Sequence, residues 1–161
     1  SRLMGIENRR FPRWDLSLNI KYKSLHSKGF SLGKLLVSHT KSTAVNISVG
    51  GVLFQAQEKL EPGYQVQIRI DFTVSEATVI ATAEILYARK DGNHYMIGAR
   101  FLDLQTEADD VMGEILTGQL EQIKGLPPEK QLEAKKRVFD RLFMSLIQTE
   151  HIQHKGTKAK S

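Results

Sequence analysis

The chain has 161 residues, no cysteine and a formal net charge of +5 at pH 7. This length suits one domain with an appendage, and it can bury a hydrophobic core without covalent cross-links. The absence of cysteine excludes disulfides, thiolate metal sites and a cysteine nucleophile, and no apolar run reaches the ~18 residues of a membrane span.

The first two thirds of the chain have the pattern of short strands. Residues 14–22 alternate apolar and polar side chains, which predicts a strand with one buried face. A second strand-like run covers 35–47, with an irregularity expected at 39–42. Further alternating runs cover 52–54, 66–72, 79–87 and 95–101, and turns are predicted at Pro62-Gly63 and Asp91-Gly92. Strands joined by glycine-bearing turns, with no helix between them, predict a small β-barrel or sandwich.

The pattern changes to a helical period near Asp103. Thr106 and Asp109 resemble a capping arrangement, and apolar residues recur at ~3.6-residue spacing over 111–123. A second apolar stripe runs over 129–151 and must cover the barrel, the first helix or a second copy of the chain. We therefore expect a barrel with an N-terminal arm over 1–104, a helical extension over 105–151 and a basic flexible tail over 152–161.

Three arginines lie directly before the first strand, in the segment Arg9-Arg10-Phe11-Pro12-Arg13. The proline disfavours a helix through this segment. Guanidinium groups suit phosphates and guanine edges, because their planar fork offers two parallel donors and their face stacks on bases. A solvated basic lead-in to a strand would have the same composition, so the segment alone leaves both interpretations open.

A second polar segment is Asn46-Ile47-Ser48-Val49-Gly50-Gly51. Asn46 and Ser48 stand two residues apart on a strand, so they point to the same face and can hydrogen-bond a planar ligand edge. Gly50 and Gly51 allow a tight bend and a close approach by a partner. A plain turn uses the same residue types, so this segment alone is also open to two interpretations.

In this order and spacing, the two segments resemble the motifs of the PilZ family, whose members bind cyclic di-GMP. The family pattern is R-x-x-x-R before the first strand and [D/N]-x-S-x-x-G one strand later. The resemblance covers about residues 7–104 and includes Gly51-Val52-Leu53-Phe54, the Pro62-Gly63 turn and the segment 97–104. It implies a mainly β fold, a six-stranded antiparallel PilZ-type barrel followed by C-terminal α-helices.

The resemblance also implies where the ligand binds. Arg9 and Arg13 would grip phosphates and the Hoogsteen edge of guanine, with Arg10 as an additional contact. Asn46 and Ser48 would hydrogen-bond the other guanine or its surroundings, on a surface that Gly51 keeps open. The remaining candidates are Gly50, Tyr87, which fits a barrel residue equally well, and Arg100, whose parity points it away from the buried face.

By this resemblance the chain would be a bacterial, cytoplasmic receptor that binds cyclic di-GMP as a ligand rather than a cofactor and switches conformation. It would regulate an unidentified partner protein in motility, exopolysaccharide synthesis or a related output. We expect no catalytic and no metal site, because no carboxylate and histidine cluster at ligand spacing is seen. Asn8 stands where family members that bind a stacked pair of ligands carry a further arginine, which favours one ligand per chain.

Two other binding modules compete with this interpretation. One is a PilZ-like protein-interaction module that binds no nucleotide, although the presence of both motifs counts against it. The other is a basic nucleic-acid-binding barrel, whose aromatic residues should be exposed on one sheet face. It is disfavoured because the aromatic residues of this chain instead follow the alternation of the buried face. The C-terminal helices are the candidate surface for a partner protein or for a homo-oligomer.

Overall fold

Six antiparallel strands pair in the order β1-β2-β3-β6-β5-β4 and close into a barrel. The structure is a computed structural model that describes residues 14–25, 39–107 and 111–160. The strands are β1 Trp14–Ser24, β2 Thr40–Ile47, β3 Gly51–Ala56, β4 Gln65–Phe72, β5 Ala77–Asp91 and β6 His94–Thr106. Two helices follow, α1 Val111–Ile123 and α2 Pro128–Lys160. The mainly β, six-stranded antiparallel barrel with C-terminal helices is therefore confirmed.

The core fills the inside of the barrel because the strands keep a period of two. In β4 every second residue is buried, namely Val66, Ile68, Ile70 and Phe72. Aromatic rings also pack inside the barrel, where the ring centroids of the buried residues Tyr22 and Phe54 lie 5.2 Å apart. The outward positions carry most of the polar side chains, so any surface site must be built from this second set.

Register shifts interrupt the pairing at places that periodicity does not reveal. Thr40 and Ser42 pair regularly with β1, so the irregularity expected at 39–42 is absent from 40–42. A shift occurs instead between Ala44 and Asn46 in the β2–β3 pairing. A shifted register places an extra residue in one strand and changes which face the following side chains occupy.

The shift between Ile85 and Tyr87 corrects the predicted alternation of β5. The pattern from 79 onward placed Tyr87 on the buried face. Because the shift adds a residue, Leu86 and Tyr87 both lie outside the barrel, with 51% and 45% of their surfaces exposed. Tyr87 is therefore a surface residue rather than a residue of the barrel interior.

The helices also begin and end at different residues from those predicted. Thr106 pairs with Val79 in the β5–β6 ladder, so it belongs to β6 and the capping arrangement proposed for it is wrong. Helix α2 begins at Pro128, a favourable first position because proline lacks an N–H that would have no intrahelical partner there. It runs to Lys160, so residues 152–160 of the predicted flexible tail are helical, because each residue added to an existing helix gains one backbone hydrogen bond without a new nucleation step.

Helix α2 packs its apolar stripe on the barrel. The stripe consists of Phe139, Leu142, Phe143, Leu146 and Ile147, all buried. The rings of Phe72 and Phe143 lie 6.2 Å apart between centroids, which ties the helix to the end of β4. Within the described ranges, neither helix combines the length and the apolar character needed to span a membrane.

Candidate functional site

An open cavity of about 530 Å³ lies where the turn after β2 meets β5, β6 and helix α2. The strand pairing builds it, because Gly51 of β3 pairs with Arg100 of β6, and Gly98 of β6 pairs with Tyr87 of β5. The cavity is lined by every predicted ligand residue that the structure describes, namely Asn46, Ser48, Gly50, Gly51, Tyr87 and Arg100. Residues far apart in the sequence thus meet at one place.

A tight turn over residues 48–51 forms one wall of the cavity. The Ser48 N–H donates to the Gly51 carbonyl at 2.9 Å, and the Gly50 N–H donates to the Ser48 hydroxyl oxygen at 3.1 Å. The carbonyl of Gly50 in turn accepts from the N–H of Phe101 at 2.9 Å, which fastens the turn to β6. The segment is therefore a turn, and because a hydroxyl that accepts one bond can also donate another, Ser48 keeps a donor for a ligand.

Gly51 is required by the close approach of β6. A Cβ added to Gly51 would lie 2.3 Å from the carbonyl oxygen of Ala99, which is backbone and cannot move aside alone. The glycine thus keeps the surface low at the point where β3 leaves the turn. This is a packing reason for the glycine that the motif did not reveal, and its role toward a ligand stays a prediction.

Tyr87 covers the second glycine of the site. A Cβ on Gly98 would lie 2.3 Å from Cε1 of Tyr87, so the ring rests directly against the glycine backbone. Such contact of an aromatic ring with a strand glycine fixes the ring in place. Because nearly half of the tyrosine surface is still exposed, the ring can offer a stacking face beside the cavity.

Arg100 lies on the outer face, as its parity predicted, and its side chain is 56% exposed. Its Nε and a terminal guanidinium nitrogen lie 2.6 and 2.5 Å from Oε1 of Glu84, the residue opposite it on β5. The carboxylate orients the guanidinium and offsets part of its charge. An anionic ligand would therefore have to share Arg100 with Glu84 or displace the carboxylate.

Two residues of α2 that were not predicted also line the cavity, Glu133 and Lys136. They stand three apart, so they share one side of the helix. The sequence spacing alone predicts that the two residues share a side of the helix. The packing of α2 is needed to show which surface of the barrel that side faces. Lys136 adds a cation to the cavity, whereas Glu133 adds a carboxylate.

The arginine arm, with its predicted residues Arg9, Arg10 and Arg13, lies outside the described residues. The described chain begins at Trp14, which pairs with Ile47 of β2, and Asp15 pairs with Asn46. The first strand therefore starts beside the turn that lines the cavity.

The PilZ domain family model matches residues 7–118, which is more than half of the chain. The chain belongs to the PilZ family. The matched PilZ region contains both motifs and all six strands. PilZ domains are regulatory binding modules.

One solved structure similar to this PilZ chain is that of the Bacillus subtilis inhibitor of motility, MotI/DgrA. The two share 13% sequence identity with a TM-score of 0.48, over 74% of this chain and 54% of that one. The chain thus spans about half the length of that protein. No curated protein matches the sequence.

Proposed function

We propose that this PilZ chain is a receptor for cyclic di-GMP that changes conformation on binding and so regulates a partner protein in the bacterial cytoplasm. One observation carries the proposal: four residues predicted from the second motif, Asn46, Ser48, Gly50 and Gly51, line a single cavity with Tyr87 and Arg100, which were predicted from their strand positions. A volume of about 530 Å³ lies within the range of small-molecule sites, which is roughly 300–1,000 Å³.

The chemistry of the cavity suits a ligand with two phosphates and two purines. Lys136 and Arg100 supply cations for phosphate, and Tyr87 supplies an aromatic face for a base. The Ser48 turn presents a hydroxyl and backbone groups that can hydrogen-bond a guanine edge. The site therefore combines the contacts that an anionic, planar ligand needs.

The strand pairing supports closure of the arginine arm over this ligand. Arg13 is bonded to Trp14, and Trp14 lies opposite Ile47, one residue before Ser48. An arm attached at this point starts beside the fixed part of the site. We propose that it closes over the bound nucleotide and that each chain binds one ligand, because Asn8 offers no charge to a second.

Helix α2 gives the proposed switch an output. Its residues Glu133 and Lys136 line the cavity, while its buried stripe, from Phe139 to Ile147, packs on the barrel. A ligand in the cavity would contact a helix that also touches the core. We propose that the partner, in motility or exopolysaccharide control, is reached through this helix, and a homo-oligomer through the helices stays a prediction.

A second candidate is a PilZ module that binds a protein and no nucleotide. Two carboxylates favour it: Glu133 lines the cavity, and Glu84 already contacts Arg100. Both would repel a doubly negative ligand. Under this candidate the cavity would accept a cationic side chain of a partner, and the chain would not bind cyclic di-GMP.

Isothermal titration calorimetry with cyclic di-GMP tests the proposal. We expect one ligand per wild-type chain, and at least tenfold weaker binding by Arg9→Ala and Arg13→Ala, which corresponds to about 1.4 kcal/mol of lost charged contacts. Lys136→Ala should also weaken binding, whereas Lys130→Ala, an exposed position of α2 outside the cavity, should not. A folded wild-type chain that gives no binding heat would overturn the proposal and support the second candidate.

A further inference from the structure

A cluster of basic side chains covers the outer surface of β2, β1 and β4. Lys21 pairs directly with Lys41 on one side and with Arg69 on the other. Neighbouring strands are ~4.8 Å apart, so three cationic positions fall within a width of ~10 Å. Lys23 and His39 lie next to them. We call this set, Lys21, Lys23, His39, Lys41 and Arg69, the basic face.

The arrangement works against the stability of the sheet. Like charges directly opposite each other on neighbouring strands are destabilising. Arg69 has an ion pair with Glu107, but in the described ranges no carboxylate lies within ion-pair distance of Lys21, Lys23 or Lys41. A sheet optimised for stability alone would alternate the charges here, so the arrangement points to a binding role.

Two further observations show that positive charge converges on this surface. A shallow concavity of about 480 Å³ is lined by Lys21, His39, Lys41 and Arg69 alone. His39 hydrogen-bonds Gln67 at 2.8 Å across β1. Burial lowers the pKa of His39, the Gln67 bond opposes this, and the charges of Lys23, Arg69 and Lys21 lower it further. The imidazole thus experiences the combined field of its basic neighbours.

The basic face is separate from the nucleotide cavity. In the closed strand order, β4, β1 and β2 are consecutive, whereas β3, β6 and β5 form the other half of the barrel and carry most of the cavity. Only β2 contributes to both, with Lys41 near its start and Asn46 near its end. The two surfaces can therefore be occupied at the same time, and the inference does not depend on nucleotide binding.

The chemistry of the surface favours carboxylates. Arg69 already holds the carboxylate of Glu107, so this geometry accepts one. The imidazole of His39 and the guanidinium of Arg69 line the concavity and could each stack on a base, but no phenyl, phenol or indole ring lines it, so the surface lacks the larger aromatic platforms of single-strand binding proteins. None of the five residues is apolar, so the face has nothing to insert into a lipid layer. Carboxylates one helical turn apart are separated by ~5–6 Å, which is close to the spacing between the strands.

We propose that the basic face is the docking surface for an acidic segment of a partner protein, with carboxylates that pair with Lys21 and Lys41 and that share Arg69 with Glu107. Binding of the acidic segment would replace the repulsion among these like charges with pairing between opposite charges. Lys21 is the central residue, because it is the one flanked by a cation on both neighbouring strands.

The test uses fluorescein-labelled poly-L-glutamate at low salt, followed by fluorescence anisotropy. The variant K21E/K41E is compared with K90E/K130E, which changes two exposed lysines outside the basic face. Both variants lower the formal charge equally, from +5 by 4 to +1. We expect at least tenfold weaker binding by K21E/K41E and less than threefold by the control. Equal losses in the two variants would overturn the proposal, because net charge alone would then explain binding.

A thermal melt of Lys21→Glu tests the energetic argument separately. A carboxylate at position 21 would lie between Lys41 and Arg69, so the melting temperature should rise by about 1–3 °C while poly-L-glutamate binding falls. A lower melting temperature would contradict the like-charge argument. Tighter binding to a single-stranded oligothymidylate or to phosphatidylserine vesicles, lost in K21E/K41E, would overturn the assignment to an acidic protein segment.

Discussion

Gly51 shows how one residue can serve the fold and the site together. The carbonyl oxygen of Ala99 occupies the place where a side chain of Gly51 would begin. The motif suggested only that a glycine keeps the ligand surface open. The β3–β6 pairing adds that any larger residue would push two strands apart beside the Ser48 turn.

We therefore expect Gly51→Ala to lower the free energy of unfolding by about 1–3 kcal/mol, because the added methyl group meets backbone that must shift. Urea denaturation followed by circular dichroism measures this. Gly118→Ala is the matched control. Its added Cβ on helix α1 meets nothing within 4 Å, so it should leave stability unchanged or raise it by up to ~1 kcal/mol. Equal stability of Gly51→Ala and the wild type would refute the close-approach argument.

Single residues also show where sequence reasoning succeeds and where it stops. The spacing of two between Asn46 and Ser48 predicted a common strand face, but β2 ends at Ile47, so Ser48 lines the cavity from the turn rather than from the strand. Tyr87 falls in phase with the buried residues of its strand, but a register shift between Ile85 and Tyr87 turns it outward. Lys136 could not be assigned, because its place depends on how a helix packs on a barrel from another part of the chain.

At the scale of elements, helix α2 is held to the turn between β4 and β5 by a buried carboxylate. Glu150 is buried, and its carboxylate accepts a hydrogen bond from the backbone N–H of Val74 at 2.5 Å and a longer one from the hydroxyl of Thr73 at 3.4 Å. Together with the contact between Phe72 and Phe143, it fastens the helix to the turn. The same helix lines the cavity through Lys136. The position of α2 on the barrel therefore affects both the core and the candidate site.

Replacing Glu150 with alanine should lower the free energy of unfolding by about 1–3 kcal/mol, because the Val74 N–H would lose its charged acceptor. Chemical denaturation gives the size of the loss, and hydrogen exchange should show weaker protection in α2. Glu121→Ala removes an exposed carboxylate paired with Lys124, so it should cost no more than ~1 kcal/mol. The anchoring role would be refuted by equal losses in the two variants.

The elements themselves were largely predictable from period. Alternation located the strands, and the ~3.6-residue stripe located both helices, because each pattern reflects one buried face. Their ends were less accessible. Thr106 has the residue type of a helix cap, yet its pairing with Val79 keeps it in β6, and that pairing is a long-range contact that local sequence does not encode.

At the scale of the whole molecule, strand order separates two surfaces of different character. One half of the barrel, with α2, carries the cavity proposed for the nucleotide. The consecutive strands β4, β1 and β2 carry the basic face. Neither the neighbouring position of β3 and β6 nor the closure of β1 on β4 follows from periodicity. The second family motif therefore led to four residues that line the cavity, whereas the basic face required the register.

Cyclic di-GMP is proposed to bind in the cavity between the turn over residues 48–51, β5, β6 and α2. Heteronuclear NMR of the labelled chain, titrated with cyclic di-GMP, tests this claim most directly. We predict the largest backbone amide shifts at Gly50, Gly51, Gly98, Arg100 and Lys136, with small shifts at Lys21 and Lys41. Unchanged cavity amides at saturating ligand, or shifts confined to the basic face, would show that the nucleotide does not bind in this cavity.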